Sequence, residues 1–284
     1  MIAEFRADLH CHTICSDGTD SPIEVLHMAK RAGLQGLSIT DHDTTAAYTG
    51  ELVEEAKKLA IRLLTGVEVS SELETIPVHI LGYGLDLESQ SFRTFLERMQ
   101  KRRTDRNRLI LEKLFKKNMP ISEEELTSFA QKRTIGRPHI AQLMIQKGFV
   151  SSIKEAFDLY IKEGASCYAA GLKHKPQEVI EEIQRAKGKA ILAHPHFYKK
   201  GAFLRKLLDL PFDGYECHYA NLDKSLEKPW LDKAHARGLI ATGGSDYHGT
   251  LKPHIRLGCS WVGLLTFESF LQSGVSKSPN IERT

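Results

Sequence analysis

The segment that most constrains this chain is FRADLHCHTICSDG, residues 5–18, in which two histidines lie two positions apart between two aspartates. If the segment is a β-strand, Asp8, His10 and His12 lie on one face, because successive side chains of a strand point to opposite faces. Adjacent polar side chains on a face that also belongs to the core are costly to bury unless a partner compensates them. A metal ion would be such a partner, so the segment predicts a metal site.

Histidines and carboxylates also cluster later in the chain, in the segments TDHD, AHPH and SDYH. Each cluster follows an apolar segment that we interpret as a strand, while Glu68 closes a third strand and His79 lies in a fourth. In a sheet or barrel of parallel strands, the carboxyl ends meet at one opening, where such folds hold their chemistry. We therefore expect these side chains to converge. The nine candidate metal ligands are His10, His12, Asp17, His42, Glu68, His79, His194, Asp246 and His248.

Imidazole and carboxylate together are ligands for Mn²⁺, Fe²⁺ and Zn²⁺. Nine ligands suffice for three divalent ions with three protein ligands each, which leaves positions open for water and substrate. Three ions of charge +2 against three carboxylates leave a net charge of +3, which attracts a phosphate group. A single histidine is more often a surface or capped residue, and only the clusters together favour a metal site. We expect three Mn²⁺ ions, with Zn²⁺ or Fe²⁺ as alternatives.

Hydrophobic periodicity divides the chain of 284 residues into two patterns. Strand-like segments such as GLQGLSIT and AILAHP alternate with helical ones over residues 1–88 and 166–284, whereas residues 89–165 show helical periodicity alone. Alternation of strands and helices is typical of a parallel α/β fold. We predict an α/β catalytic barrel built from the two outer segments, with an all-helical insertion domain between them.

The composition fits a globular protein and argues against several classes. Hydrophobic residues make up 41% of the chain and charged residues 26%, which is ample for a large core. The five cysteines show no C-x-x-C spacing and no disulfide framework, so we expect a reducing cytoplasm. No apolar run approaches the roughly 18 residues that span a bilayer, so we expect no membrane partner. The net charge of +3 is too small to indicate binding of long duplex DNA.

A basic helix is predicted inside the insertion. Between Arg98 and Lys117 nine residues are lysine or arginine and only two are acidic. Arg98, Arg102 and Arg106 are spaced four apart, which places them on one helix face. Most basic helices present such a face to solvent, but the predicted metal site implies an anionic substrate, and arginine binds phosphate with two hydrogen bonds. Arg137 begins the segment RPHI, near a helix start that also favours anions.

Taken in order, the segments DLHCHTICSDG, SITDHDT, GVEVS, VHILGYG, AHPH and GGSDYHG resemble the motifs of the PHP (polymerase and histidinol phosphatase) family. This resemblance implies a distorted seven-stranded β/α barrel with a trinuclear metal site, whose ligands match the nine residues above. The insertion with GRPH is similar to that of nucleoside 3′,5′-bisphosphate phosphatases and related 5′→3′ exoribonucleases. The resemblance implies that Arg102, Arg103 and Arg137 hold a phosphate that is not cleaved. It also implies that Asp8 orients a ligand histidine.

We interpret the chain as a metal-dependent phosphoesterase in which water activated by the metal ions attacks phosphorus. His196 and His218 lie near the ligand motifs and are candidate proton donors to the leaving oxygen. Asp43, beside His42, is a candidate contact to the substrate sugar or to a water on the metal.

The resemblance implies two substrates for one chemistry. These are a nucleoside 3′,5′-bisphosphate, which would lose its 3′-phosphate, and a short 5′-phosphorylated RNA, which would be shortened in the 5′→3′ direction. One alternative is a phosphatase for histidinol phosphate or another small phosphate ester, although the arginines disfavour a cationic substrate. The other is a non-catalytic metal-binding module, whose signature would be missing ligands.

Overall fold

A computed structural model describes residues 4–130, 134–170, 174–199 and 201–271. The strands are β1 (Ala7–Asp8), β2 (Gly36–Leu37), β3 (Arg62–Leu63), β4 (Gly66–Leu73), β5 (Ile76–Tyr83), β6 (Lys189–Leu192), β7 (Gly214–Tyr219) and β8 (Ile240–Gly244). The α-helices are α1 (Pro22–Arg31), α2 (Gly50–Leu59), α3 (Gln90–Phe115), α4 (Glu123–Ala130), α5 (Arg137–Gln146), α6 (Ile153–Ala156), α7 (Pro176–Arg185), α8 (Ala202–Leu208), α9 (Lys224–Ala236) and α10 (Leu264–Ser269). A π-helical turn (Phe157–Ile161) follows α6, and two 3₁₀ turns lie at Pro195–Phe197 and Gly249–Leu251. No helix within these ranges is long and apolar enough to cross a membrane.

The first sheet contains β1, β2 and β3, all parallel and each only two residues long. Helices α1 and α2 connect these strands, and their apolar faces pack on the sheet through Leu26, Leu37 and Leu52. Helix α1 begins at a capping box, in which the Ser21 side chain accepts from the backbone of Glu24 and the Glu24 side chain accepts from the backbone of Ser21. The short strands end at the segments that carry the first predicted ligands.

The second sheet has the strand order β4-β5-β6-β7-β8. Strand β5 runs antiparallel to both β4 and β6, whereas β6, β7 and β8 are parallel. The expectation that all strands are parallel and carry their ligands at carboxyl ends is therefore wrong for His79. This residue lies in the middle of β5 and reaches the site because it pairs with Ser70 in the neighbouring strand.

The two sheets adjoin without forming a closed barrel. At one seam Leu9 donates its backbone N–H to the carbonyl of Gly243 at 3.3 Å, and at the other a single bridge joins His42 to Glu68. The α/β class agrees with the prediction, but the strands of the described residues number eight and lie in two open sheets, not in a seven-stranded barrel. Because β1 to β3 are so short, a few separate contacts replace a continuous ladder at the seams.

Helices α3 to α6 follow β5 and precede α7 in the sequence. They have a hydrophobic core of their own, which includes Ile110, Leu114 and Ile140. The first half of α3 packs elsewhere, since Phe92 and Phe95 belong to the core of the second sheet. Helix α3 therefore joins the helical segment to the α/β part of the molecule. The domain boundaries at residues 88 and 165 stay a prediction.

Candidate metal centre

Glu68 of β4 lies at the centre of a buried cluster that brings predicted ligands together from both parts of the molecule. Its side chain is 2% exposed, and its carboxylate oxygens lie 2.9–3.4 Å from ring nitrogens of five histidines. The five are His10, His12, His42, His79 and His194. One carboxylate thus connects side chains that are distant in the sequence.

Two more predicted ligands, Asp17 and Asp246, contact this cluster and connect His248 to it. Asp17 lies 3.6 Å from Nδ1 of His12 and 3.5 Å from Nε2 of His248. Asp246 lies 3.4 Å from Nε2 of His10 and 3.4 Å from Nδ1 of His248. The structure therefore brings all nine predicted ligands into one connected cluster.

Three groups within the cluster have the spacing that a metal ion requires, because their ligand atoms lie within 4.8 Å of one another. The groups are His12, Asp17, His42 and His248; His10, His12 and Asp246; and His42, Glu68 and His79. His12 and His42 each belong to two groups, so neighbouring ions would share them or lie close together. His194 contacts Glu68 but belongs to none of the three groups.

The hydrogen bonds of two histidines show that this donor set suits cations. Nδ1 of His10 donates to a carboxylate oxygen of Glu216 at 2.8 Å, so a neutral His10 ring would present its lone pair at Nε2. Nε2 lies 3.4 Å from an oxygen of Glu68. His248 repeats the pattern, because Nδ1 donates to the carbonyl of Asp246 at 2.8 Å while Nε2 faces another carboxylate at 3.5 Å. Lone pairs that face carboxylate oxygens repel unless a proton or cation lies between them, so the residues fit divalent metal ions.

The cluster also keeps its carboxylates ionised. Burial alone would raise the pKa of Glu68, but His42 and His79 hold that pKa well below its usual value. Burial alone would lower the pKa of His12, but hydrogen bonds to Asp246 and Glu68 raise it to about 9. Burial and the charge of His12 lower the pKa of His248 to about 3, and the two rings stack with centroids 4.1 Å apart. Near pH 7, His12 therefore carries hydrogens on both ring nitrogens and His248 on one, and a bound cation would displace the additional proton of His12.

Three site residues adopt a left-handed backbone conformation, which costs energy for residues other than glycine. The angle φ is 54° at Asp43, 32° at His194 and 54° at Asp246. His194 follows β6 and Asp246 follows β8, so the chain turns sharply where each strand ends. Such conformations persist only where surrounding contacts hold them, and here they present side chains to one centre.

Glu216 of β7 is a residue that the sequence patterns did not single out. It is 1% exposed and accepts hydrogen bonds from Nδ1 of His10 at 2.8 Å and from the backbone N–H of His194 at 2.7 Å. These contacts orient one predicted ligand and fix the backbone of another. A register shift in β7 separates Glu216 from His218, so the two residues face different partners. The available signal was a glutamate in the apolar strand GYECHY, where burial demands a partner.

Two further aspartates hold the backbone of the first ligand segment. Asp8 accepts hydrogen bonds from three backbone N–H groups, including that of His10 at 3.1 Å, so it orients this residue through the backbone, not through the ring. Burial raises the pKa of Asp8 to about 6. Asp41 accepts from the backbone and hydroxyl of Thr13 and from the hydroxyl of Ser16. The loop that carries Asp17 is therefore fixed by side chains from outside it.

A cavity with an empty volume of about 630 Å³ lies beside the cluster. His79 and Asp43 line it on the side of the sheets, and the helical segment contributes four arginines. The arginines are Arg102, Arg103, Arg106 and Arg137. The structure thus brings together the three arginines that the resemblance implied and adds a fourth, whereas Arg98 lines a neighbouring cavity with Phe95.

The arginine cavity carries an excess of positive charge. Its lining includes two carboxylates, those of Asp43 and Glu72, against the four guanidinium groups. Nη1 of Arg102 is buried without a hydrogen-bond partner among the described residues. Burial and the nearby charge of Arg103 lower the pKa of Arg106 to about 9. Buried, incompletely paired guanidinium groups favour a dianion such as a phosphate monoester.

The three candidate catalytic residues lie in different surroundings. Both carboxylate oxygens of Asp43 are engaged, one by the backbone N–H of Ser70 at 2.7 Å and the other by the guanidinium of Arg103. Both ring nitrogens of His196 are buried and have no hydrogen-bond partner within the part of the chain that the structure describes, and burial lowers the pKa of His196 to about 4. His218 pairs with a glutamate of α9 at 3.0 Å. Asp43 is thus placed to hold an arginine, and His196 is neutral near pH 7.

Comparisons with known proteins agree with this geometry. The model of the PHP domain family matches residues 8–257. A Salmonella typhimurium protein named 5′-3′ exoribonuclease Rnm is 33% identical over 263 residues, covering 90% of this chain and 87% of that protein. A 3′,5′-nucleoside bisphosphate phosphatase of Chromobacterium violaceum is 30% identical over 247 residues, and the alignment covers 85% of this chain and 86% of that protein. A crystal structure from Bifidobacterium adolescentis, described as a proposed metal-dependent phosphoesterase, superposes with a TM-score of 0.85 at 28% identity and covers 95% of this chain and 96% of its own. The chain therefore belongs to the PHP domain family.

Proposed function

We propose that this chain is a metal-dependent phosphoesterase that cleaves the phosphate ester at the 3′ oxygen of a nucleotide whose 5′-phosphate it binds. The observation that carries the proposal is the arginine cavity beside the metal centre, since His79 and Asp43 line the same cavity as the four arginines. A substrate with two phosphates on one nucleoside would place one phosphate in the cavity and the other at the metal centre. The exoribonuclease and the bisphosphate phosphatase among its relatives both fit this arrangement.

The cluster would hold three divalent ions, which we propose to be Mn²⁺, with Zn²⁺ or Fe²⁺ as alternatives. The three ligand groups and the lone pairs that face carboxylates support this number and this kind of ion. When bound, such ions supply an activated water and neutralise charge on the phosphoryl oxygens. The protein contributes ligands and position, and we assign it no covalent nucleophile.

The protein residues around the metal centre have separate roles in this proposal. Arg102, Arg106 and Arg137 bind the 5′-phosphate, and Asp43 holds Arg103 so that its remaining N–H groups face the same anion. His196 and His218 remain the candidates for delivering a proton to the 3′ oxygen. The neutral state of His196 at pH 7 means that it would relay a proton and not donate one from a protonated ring.

Cleavage of the bond between phosphorus and the 3′ oxygen would act on two classes of substrate. A nucleoside 3′,5′-bisphosphate would yield a 5′-monophosphate and inorganic phosphate, and a short 5′-phosphorylated RNA would yield a 5′-mononucleotide and a shortened RNA. Histidinol phosphate is a poorer fit, because its ammonium group would meet the arginines of the cavity. We place the activity in the cytoplasm, which the five free thiols support.

The test offers the protein adenosine 3′,5′-bisphosphate, adenosine 3′-monophosphate and a short 5′-phosphorylated RNA in the presence of Mn²⁺. We expect release of the 3′-phosphate from the bisphosphate and of nucleotides from the 5′ end of the RNA. Adenosine 3′-monophosphate should be a poor substrate, because nothing fills the arginine cavity. Equal rates on the two mononucleotides would remove the proposed role of the cavity, and failure on all three would remove the proposed function.

Two variants separate the roles of the centre and the cavity. Asp246→Ala removes a carboxylate of the metal centre and should abolish turnover of every substrate while the circular dichroism spectrum is retained. Arg102→Gln should raise KM for the bisphosphate roughly tenfold and leave the slow reaction of the 3′-monophosphate unaffected, since one bond from a charged donor to phosphate is lost. An unchanged KM in Arg102→Gln would contradict the assignment of this arginine.

A further inference from the structure

Phe197 is an exposed aromatic residue at the edge of the metal centre. Its side chain is 62% exposed, and its ring centroid lies 5.3 Å from that of the predicted ligand His194 and 5.4 Å from that of Tyr219. His196 contacts both Phe197 and Tyr219, with centroids 4.3 and 4.6 Å away. Phe197 is therefore held by three neighbouring rings, while much of its side chain is open to solvent.

Phe197 is separated from the arginine cavity by two predicted ligands. His79 lines the cavity, and its ring centroid lies 5.3 Å from that of His194, which in turn lies 5.3 Å from that of Phe197. Neither His194 nor Phe197 is among the described residues that line the cavity. The cavity is lined mainly by β4, β5, the helical segment and the loop after β2, whereas Phe197 belongs to the 3₁₀ turn after β6. A molecule that extends from the cavity across the metal centre reaches Phe197 last.

The order of these features matches the order of groups in a 5′-phosphorylated oligonucleotide. This reasoning rests on the proposed function, in which the 5′-phosphate occupies the arginine cavity and the next phosphate lies at the metal centre. The first nucleoside then lies between cavity and centre, and the second nucleotide lies beyond the centre. Aromatic side chains stack with bases of any identity, and a solvent-exposed ring held by neighbouring rings is suited to that contact.

We propose that Phe197 is the stacking platform for the base of the second nucleotide and thereby selects oligonucleotides over nucleoside bisphosphates. In the reaction, the oxygen of water forms a bond to phosphorus and the bond from phosphorus to the 3′ oxygen of the first nucleotide breaks, with a proton passing to that oxygen. The phosphate stays on the second nucleotide as its new 5′-phosphate. A nucleoside 3′,5′-bisphosphate has no second base, so only the oligonucleotide gains from the platform.

The test compares three substrates in the Mn²⁺-loaded protein: adenosine 3′,5′-bisphosphate, the dinucleotide 5′-phospho-ApA, and the same dinucleotide with an abasic second position. In the unaltered protein, removal of the second base should lower kcat/KM roughly tenfold, which is within the range of one base–aromatic stack. In Phe197→Ala the two dinucleotides should react with similar kcat/KM, and Phe197→Trp should restore the discrimination. Phe115→Ala is the matched control, because Phe115 is 69% exposed at the end of α3 and should leave the discrimination intact.

The outcomes separate this proposal from the proposed function. If Phe197→Ala lowers kcat/KM equally for all three substrates, Phe197 supports His194 and the platform is refuted. If the unaltered protein does not discriminate against the abasic dinucleotide, the platform is refuted although the phosphoesterase activity stands. If the unaltered protein hydrolyses none of the substrates, the proposed function itself fails.

Discussion

Single buried residues decide how the metal centre is held, and Glu216 is the clearest case. It touches two predicted ligands at once, through the ring of His10 and the backbone of His194. Because His10 donates its Nδ1 hydrogen to this carboxylate, Nε2 is the ring nitrogen that would bind a cation. A second carboxylate behind a ligand imidazole also raises the basicity of that ligand.

We predict that Glu216→Gln weakens metal binding roughly 10–100-fold, as loss of such a partner does in other metal sites. The amide keeps the size of the side chain but has only one acceptor oxygen for two donors. The measurement is the Mn²⁺ concentration that gives half-maximal activity, taken together with the melting temperature. Glu181→Gln, at an exposed position of α7, is the matched control and should leave that concentration unchanged.

At the scale of residues, the sequence predicted which histidines and carboxylates the fold brings together, but not the residues that support them. The predicted ligands are recognisable because histidines recur with carboxylates after apolar segments, and all nine lie in the observed cluster. Glu216 was not assigned a role, because its importance depends on which side chains meet it across the fold. The residues that flank Glu216 in the sequence do not indicate its contacts with His10 and His194. In addition, a bulge in β7 changes the faces that strict alternation of side chains predicts.

At the scale of elements, the approach of β8 to the segment of His10 brings the two sheets together. A Cβ atom at Gly244 would lie 2.3 Å from the backbone nitrogen of His10. This distance is too short for any residue with a Cβ atom unless the backbone moves. Asp246 also donates its backbone N–H to the carbonyl of His10 at 2.7 Å. Glycine is therefore required at this position for the ligands of both segments to reach one centre.

Gly244→Ala should lower the free energy of unfolding by about 1–3 kcal/mol, as overpacking of a tight core does, and should also weaken Mn²⁺ binding. Chemical denaturation monitored by circular dichroism measures the first effect, and the Mn²⁺ dependence of activity measures the second. Gly50→Ala, at the start of α2 with no atom within 4 Å of the new Cβ, should lower neither quantity. Equal stabilities of the two variants would show that β8 can move away from His10 without loss.

The order of helices and strands was largely predictable, but the direction of β5 was not. Strands β4 and β5 form a hairpin closed by Glu74 and Thr75, both with positive φ, at 50° and 73°. A two-residue turn of this kind usually contains Asn-Gly or Asp-Gly, and Glu-Thr carries no such signal. The sequence therefore suggested two separate strands of a parallel set, and only the structure shows the hairpin that delivers His79.

At the scale of the whole molecule, the arginine cavity is lined by both parts of the chain. The helical segment supplies the four arginines, and the sheets supply His79 and Asp43. The segment before α5 is tied to the first ligand loop, since Thr134 donates its backbone N–H to the carbonyl of Cys15 at 3.0 Å. Binding of a phosphate in the cavity and of cations at the centre would therefore stabilise the same arrangement of the two parts.

Bound metal ions should stabilise the folded chain against heat. Ions that bind only the folded chain add about 2.7 kcal/mol to its stability when their free concentration is 100 times Kd. For a chain of this size, such a gain raises the melting temperature by roughly 4–5 °C, so we expect a rise of that order when Mn²⁺ replaces a chelator. His12→Ala should lose most of the rise because His12 belongs to two of the three ligand groups, whereas His235→Ala, at an exposed position of α9, should keep it. Scanning calorimetry of the three proteins with and without Mn²⁺ measures the effect, and an equal rise in His12→Ala would show that the ions bind outside the cluster.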